Sequence, residues 1–401
     1  MHLLIYAYPY YSSPFFFSAF TELPTAFHAL LGTALFLFGN LIAQEPSLAL
    51  EGEPTDPVFY WLAAVDVFQI GENLPSRTSG MKREDVREDW HMSVIWGRTL
   101  VCLADDLVSH QIQAKREGKD PSDIFLDIEE PEWPRESLFH AIATQRHPIL
   151  RRMCFSTATP NDLLVLAMDQ FSRGILHMPH KPKSHSWPTV WSAAPMSSAS
   201  RLSAPSFSME KGTLPTIPGQ EDQFSRPREL YTIASDVLLV AEKLDTPSER
   251  HYWANWADSV FGLMKMEADR NAWCSLILRS RGRCRLIVGS AYADEMETAL
   301  ERGEMDVLKS EEAEEAREDL SLAIGYFEEI KTKEGEDRGS DANDDSELRL
   351  LLVEALVTLA NLTEDAHQRE ALYTRAKSEA GSGMDLDFDP DDGDDKMDES
   401  H

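Results

Sequence analysis

Apolar positions recur along this chain at steps of three and four residues, the period of a helix with one buried face. The stretch from Arg279 to Lys331 shows it best. It reads as two antiparallel helices, one carrying Val288-Gly289-Ser290-Ala291-Tyr292 and the other, after Ser310, carrying Ala323-Ile324-Gly325-Tyr326-Phe327. A small residue beside an apolar one, with an aromatic a turn further on, is the packing code of a tetratricopeptide-type helix pair. Four segments share an apolar–small–x–x–apolar spacing: Leu31-Gly32…Leu35, Trp96-Gly97…Leu100, Ile233-Ala234…Val237 and Val288-Gly289…Tyr292. The small residue admits a close neighbouring helix, and the outer two lie a turn apart on one face. The second helix of such a pair should carry Ala-x3-Phe, which Ala64…Phe68 and Ala323…Phe327 satisfy. The predicted fold is all-α. It is a TPR-like helical repeat, an α-solenoid of degenerate antiparallel helix pairs, with an irregular helical domain as the alternative.

Breakers divide the chain. Helices are predicted over Ala26–Ala43, around Ala64–Phe68 between Pro57 and Pro75, over Asp89–Arg116 with Asp89 as cap, in a short piece near Glu136–Ala143, and over Asn161–Leu176. Met178 to Gln220 is dense in Ser, Pro and basic residues and reads as a disordered insertion. Arg226–Leu244 and Pro247–Asp269 follow, the latter with Trp253, Trp256, Val260, Phe261 and Met264 as a broad apolar face. A last pair is predicted over Ser346–Leu362 and Ala366–Ala380. The organisation expected is an atypical N-terminus over 1–19, a helical half over 20–177, the insertion over 178–223, a TPR-like half over 224–380 and an acidic disordered tail over 381–401.

Charge narrows the possible partners. The formal net charge over 401 residues is −31, which disfavours non-specific attraction to nucleic acid or anionic membrane. Cys102, Cys154, Cys274 and Cys284 form no C-x-x-C pair and suit reduced thiols. The first Lys or Arg is Arg77, so the aromatic N-terminus lacks the basic region of a signal peptide. Ala26–Ala43 has the length of a membrane span. Its His28, Thr33 and Asn40, and the lack of basic flanks, favour a buried repeat helix.

Catalytic constellations do not appear. His177, His180 and His185 sit among prolines without the fourth ligand and rigid frame that zinc needs. Asp387, Asp389 and Asp391 alternate like a calcium loop, but Asp392 stands where the loop needs Gly and Asp398 where it needs Glu. Phosphate-loop, nucleophile-elbow, dinucleotide and HExxH patterns are missing. The main concentration of positive charge is Arg279, Arg281, Arg283 and Arg285. It suits RNA phosphate, a ribosomal surface or an acidic peptide. The favoured reading is internal pairing with Glu311, Glu312, Glu314, Glu315 and Glu318 of the following helix.

Several long runs resemble one family. They include Leu23-Pro24-Thr25-Ala26-Phe27-His28-Ala29-Leu30-Leu31-Gly32, Trp96-Gly97-Arg98-Thr99-Leu100 and Met168-Asp169-Gln170-Phe171-Ser172-Arg173-Gly174. Others are Tyr252-Trp253-Ala254 through Met264-Lys265-Met266-Glu267, Arg281-Gly282-Arg283-Cys284 with Gly289-Ser290-Ala291, and Ala299-Leu300-Glu301-Arg302-Gly303-Glu304. The chain is similar there to the enhancer of translation termination family, fungal nuclear TPR-like proteins related to the nuclear regulator of an Ofd-type prolyl hydroxylase. The resemblance implies a scaffold without enzyme activity, cofactor or metal. It implies a role in correct stop-codon termination, association with an Fe(II)/2-oxoglutarate-dependent prolyl hydroxylase, oxygen-responsive gene expression and nuclear localisation. The family's Lys/Arg-rich opening segment has no counterpart before Arg77.

Overall fold

A computed structural model describes residues 25–73, 90–120, 134–135, 137, 140, 157–180, 224–267, 273–334 and 342–381. The atypical N-terminus, most of the helix near 136–143, most of the 178–223 insertion with His185, and the acidic tail beyond Gly381 fall outside these residues. The described residues form helices and no strand. They are α1 (Thr25–Gln44), α2 (Pro57–Glu72), α3 (Trp90–Arg116), α4 (Pro160–His177), α5 (Arg226–Lys243), α6 (Pro247–Met264), α7 (Cys274–Ser290), α8 (Ala293–Glu301), α9 (Glu311–Glu334), α10 (Ala342–Asn361) and α11 (Ala366–Ala380). The architecture is all-α, with helices packed in adjacent pairs in a repeat-like manner.

Local chemistry starts these helices. Pro57 and Pro160 occupy first-turn positions, where their missing N–H costs nothing. Asp56 accepts from the Val58 N–H at 2.9 Å. Thr159 and Asp162 form a reciprocal capping box ahead of α4. Asp365 accepts from the Gln368 N–H at 2.7 Å to open α11. Left-handed Gly303 and Gly381, with φ of 83° and 70°, end α8 and α11.

Contacts divide the chain into two units, Met1–Asp245 with Gly262–Arg270, and Thr246–Phe261 with Asn271–His401. In the first, α1 pairs with α2 and α3 with α4. A methyl added to Gly32 would meet the Phe68 ring, and one added to Gly97 would lie 2.6 Å from the Phe171 ring. The pairing continues antiparallel: Gly39, seven residues after Gly32, lies under Trp61, seven before Phe68. Ala104 and Leu164 hold the matching positions in the second pair, and both are fully buried. Two turns along one helix thus correspond to two turns back along its partner. Phe171 belongs to an Ala167-x3-Phe171 match that the sequence reading passed over; Ala167 is also fully buried. Phe68 stacks on Trp96 with centroids 6.1 Å apart, joining the pairs through one core.

Helix α1 is long and apolar enough to cross a membrane by length and composition. It also buries Ala29, Gly32, Leu35, Phe36, Gly39, Asn40 and Ile42. Asn40 earns its place inside by accepting from the Trp61 indole N–H at 2.9 Å.

The division between units falls at Asp245/Thr246, one helix beyond the expected insertion. Polar contacts explain why α5 stays with the first unit. Arg98 Nε donates to Asp236 at 2.8 Å, Lys243 pairs with Asp105 at 2.6 Å, and Lys115 pairs with Asp245. The buried Arg226 guanidinium donates to the Ile175 and Met178 carbonyls at 3.1 and 2.7 Å, closing the C-terminus of α4.

In the second unit α7 pairs with α9, α9 with α10, and α10 with α11. Its core includes Leu320, Ala323, Phe327, Ile330, Leu352, Leu356 and Leu362, with Tyr292 and Leu372 packed against it. The two helices expected over Arg279–Lys331 are here separated by α8 and a 3-10 turn over Met305–Lys309. Helix α10 starts at Ala342, four residues before the predicted Ser346.

A buried arginine–aspartate site in the second unit

In the third helix pair the glycine that meets the aromatic ring is Gly282, not the Gly289 of the spacing match. A methyl on Gly282 would meet the Phe327 ring, whereas Gly289 lies under Leu320 and the Ala316 carbonyl. Helix α7 ends at Ser290, so Val288 and Tyr292 do not share one helical face as expected. Tyr292 sits instead at the entry to α8. The Gly282/Phe327 and Gly289/Leu320 contacts reproduce the Gly32/Phe68 and Gly39/Trp61 spacing of the first unit.

The same register shows what Arg281 and Arg285 are. In α1 and α3 the residues one before and three after the small residue are Leu31 with Leu35, and Trp96 with Leu100. In α7 these positions are Arg281 and Arg285. A strictly apolar template therefore misses Gly282. A guanidinium at a packing position needs a carboxylate, since its desolvation is costly unless paired. Asp258 of α6, only 4% exposed, supplies it. Arg281 donates through Nε to one Asp258 oxygen at 2.6 Å and through Nη2 to the other at 3.1 Å. Arg285 adds a 2.6 Å bond to Asp258 and a 2.7 Å bond to Asp319 of α9. The Arg281 guanidinium also lies 5.0 Å from the centre of the Tyr326 ring, a cation–π distance.

Electrostatics follow from this geometry. Burial pushes the Asp258 carboxyl up, but the hydrogen bonds and charges of Arg281 and Arg285 outweigh it and leave the carboxyl below its ordinary range. Arg281 and Arg285 are both raised, so all three groups stay ionised. Internal pairing was one of the readings open from sequence, but it named other acids. Glu311, Glu312, Glu314, Glu315 and Glu318 are exposed on α9, while the acids holding Arg281 and Arg285 are Asp258 of α6 and Asp319, the residue after Glu318 on α9.

The other two arginines are also half-buried. Arg279 Nη1 lies 3.7 Å from Glu347. The charge of Arg283 acts on Glu354, whose carboxyl burial pushes up. Four arginines at alternate positions thus share one helix without making one surface: Arg281 and Arg285 turn toward Asp258, Arg279 and Arg283 toward α10.

Among the described residues no group of three His, Cys, Asp or Glu side chains is placed to hold a metal ion. His177 ends α4, and the exposed His180 has Nδ1 3.7 Å from Glu267. Burial raises the Cys102 thiol, and neighbouring Asp236 adds to the shift, which favours the protonated form. No family model, curated protein or solved structure matches the chain. The class of protein is accordingly set by its fold: an all-α, repeat-like protein of paired helices.

Proposed function

We propose that this chain is a non-enzymatic interaction scaffold of the TPR-like solenoid type. Its proposed role is in accurate translation termination, in association with an Fe(II)/2-oxoglutarate-dependent prolyl hydroxylase, in the nucleus and in oxygen-responsive gene expression. The hydroxylase carries the iron and this chain carries none. The observation behind the reading is the resemblance of the quoted runs to the enhancer of translation termination family. Three of those runs contain Gly32, Gly97 and Gly282, the contact points of three helix pairs. Helical repeat scaffolds bind through surfaces laid across successive repeats, and the ion pairs of Arg281 and Arg285 read as internal supports of such a scaffold.

Co-elution is the test. Purified chain and a prolyl hydroxylase of the same source, each folded by circular dichroism, are mixed at micromolar concentration and run on a sizing column. A joint peak and increased stop-codon readthrough on depletion of the chain support the proposal. Separate elution removes the hydroxylase as partner, and unchanged readthrough removes the termination role. RNA binding through Arg279, Arg281, Arg283 and Arg285 predicts strongly salt-dependent affinity. That reading competes with the carboxylates already holding Arg281 and Arg285.

A further inference from the structure

The second unit contains an open cleft of about 980 Å³ that the scaffold reading does not use. Leu308, Leu359, Ala371 and Leu372 give it an apolar floor; Arg317, Ser321, Thr363, Gln368 and Arg375, with the acids Glu364 and Asp365, give it polar walls. Arg317 is fixed in place. Its Nη1 donates to the Leu308 carbonyl at 2.8 Å and the Leu362 carbonyl at 3.1 Å. Those acceptors are neutral, so the bonds orient the guanidinium without cancelling its charge. Arg375, by contrast, is paired with Glu328; of the cleft's two acids, Glu364 is paired with Lys309 and Asp365 caps α11. A site of this make-up suits a carboxylate next to a large apolar side chain.

The chain carries that chemistry immediately beyond α11. Residues Met384-Asp385-Leu386-Asp387-Phe388-Asp389 alternate acidic and apolar side chains. The reach is sufficient. Leu386 is five residues past Gly381, about 17 Å of extended chain, and Leu372 lies about 13 Å back along the axis of α11. Tethering places the segment at an effective concentration on the order of millimolar, so even a weak contact is populated. We propose that this acidic–apolar segment of the chain's own C-terminus occupies the cleft, setting a carboxylate on Arg317 and Leu386 or Phe388 on the Leu359–Leu372 floor. The contact is self-masking: a partner that engages this face must displace it.

The test uses the full chain and a fluorescein-labelled peptide copying residues 382–392, read by polarisation. Wild-type chain is compared with a Leu386→Ser, Phe388→Ser double variant, whose own segment no longer fills the apolar floor. The expected result is at least tenfold tighter peptide binding by the double variant. Adding Arg317→Gln should abolish the gain. Arg317 also serves two carbonyls, so Ala371→Glu, at an exposed position of the floor, blocks the cleft by repulsion without touching those bonds. Equal affinity for wild-type and double variant overturns the segment as occupant. Absent binding by the double variant, or binding that survives Ala371→Glu, overturns the cleft as the site.

Discussion

Gly282 of α7 and Phe327 of α9 are in contact through the absence of a side chain, the aromatic ring lying where a β-carbon would be. The same relationship joins Gly32 to Phe68 and Gly97 to Phe171, so a pairing rule repeats three times in a chain whose loops differ at every repeat. Alanine at Gly97 or Gly282 forces the ring or the helices apart and should cost about 1–3 kcal/mol. Gly262 is also helical but has open space around its Cβ direction. Gly262→Ala should stabilise by about 0.5–1 kcal/mol. Urea unfolding of the three variants tests the rule, and a Gly97→Ala protein as stable as wild type would refute it.

Asp258 holds two arginines at once. Asp258→Ala leaves Arg281 without its carboxylate and Arg285 with Asp319 alone, and stability should fall by about 3–5 kcal/mol. Glu314→Gln, on the exposed face of α9, should change it by less than about 0.5 kcal/mol. Equal and small effects in denaturant titrations would mean that the buried pairs contribute no more than surface charge.

Acid should act on the same group. The folded Asp258 pKa is depressed, so its contribution is present above the unfolded value and is lost as pH falls through the folded one. The stability gap between wild type and Asp258→Asn should therefore close below about pH 4. Chemical unfolding at pH 7 and at pH 3 measures that gap; one of constant size contradicts the assignment.

Asp106 works in the opposite sense. Burial raises its carboxyl to about 6; His110 opposes the shift, while Asp56 and Asp105 reinforce it. A raised folded pKa means stability that is full below the unfolded value near 4 and is lost as pH rises through 6. Relative to wild type, Asp106→Asn should gain up to about 2 kcal/mol between pH 4 and pH 7. Thermal melts across that range would show wild type and variant converging at the acid end.

Much of the fold was legible locally. The three-and-four spacing placed α3, α4, α5 and α11 to within a few residues, because an amphipathic helix writes its buried face into the sequence. The Gly32 and Gly97 signals and the Ala64…Phe68 match were legible for the same reason. Gly282 was not, because Arg281 and Arg285 stand where apolar neighbours were sought. The spacing match fell on Val288-Gly289 instead, seven residues beyond the glycine that Phe327 meets.

The helices, their breaks and the small and aromatic residues that let them meet are set locally, since propensity and periodicity are properties of neighbours along the chain. Tertiary structure decided which glycine meets which ring. It also decided that two arginines of the basic cluster are inward packing residues. Whether a charge is a surface or a support depends on what lies opposite it. Asp258 comes from another helix, twenty-three residues before Arg281, and no spacing rule within α7 contains it.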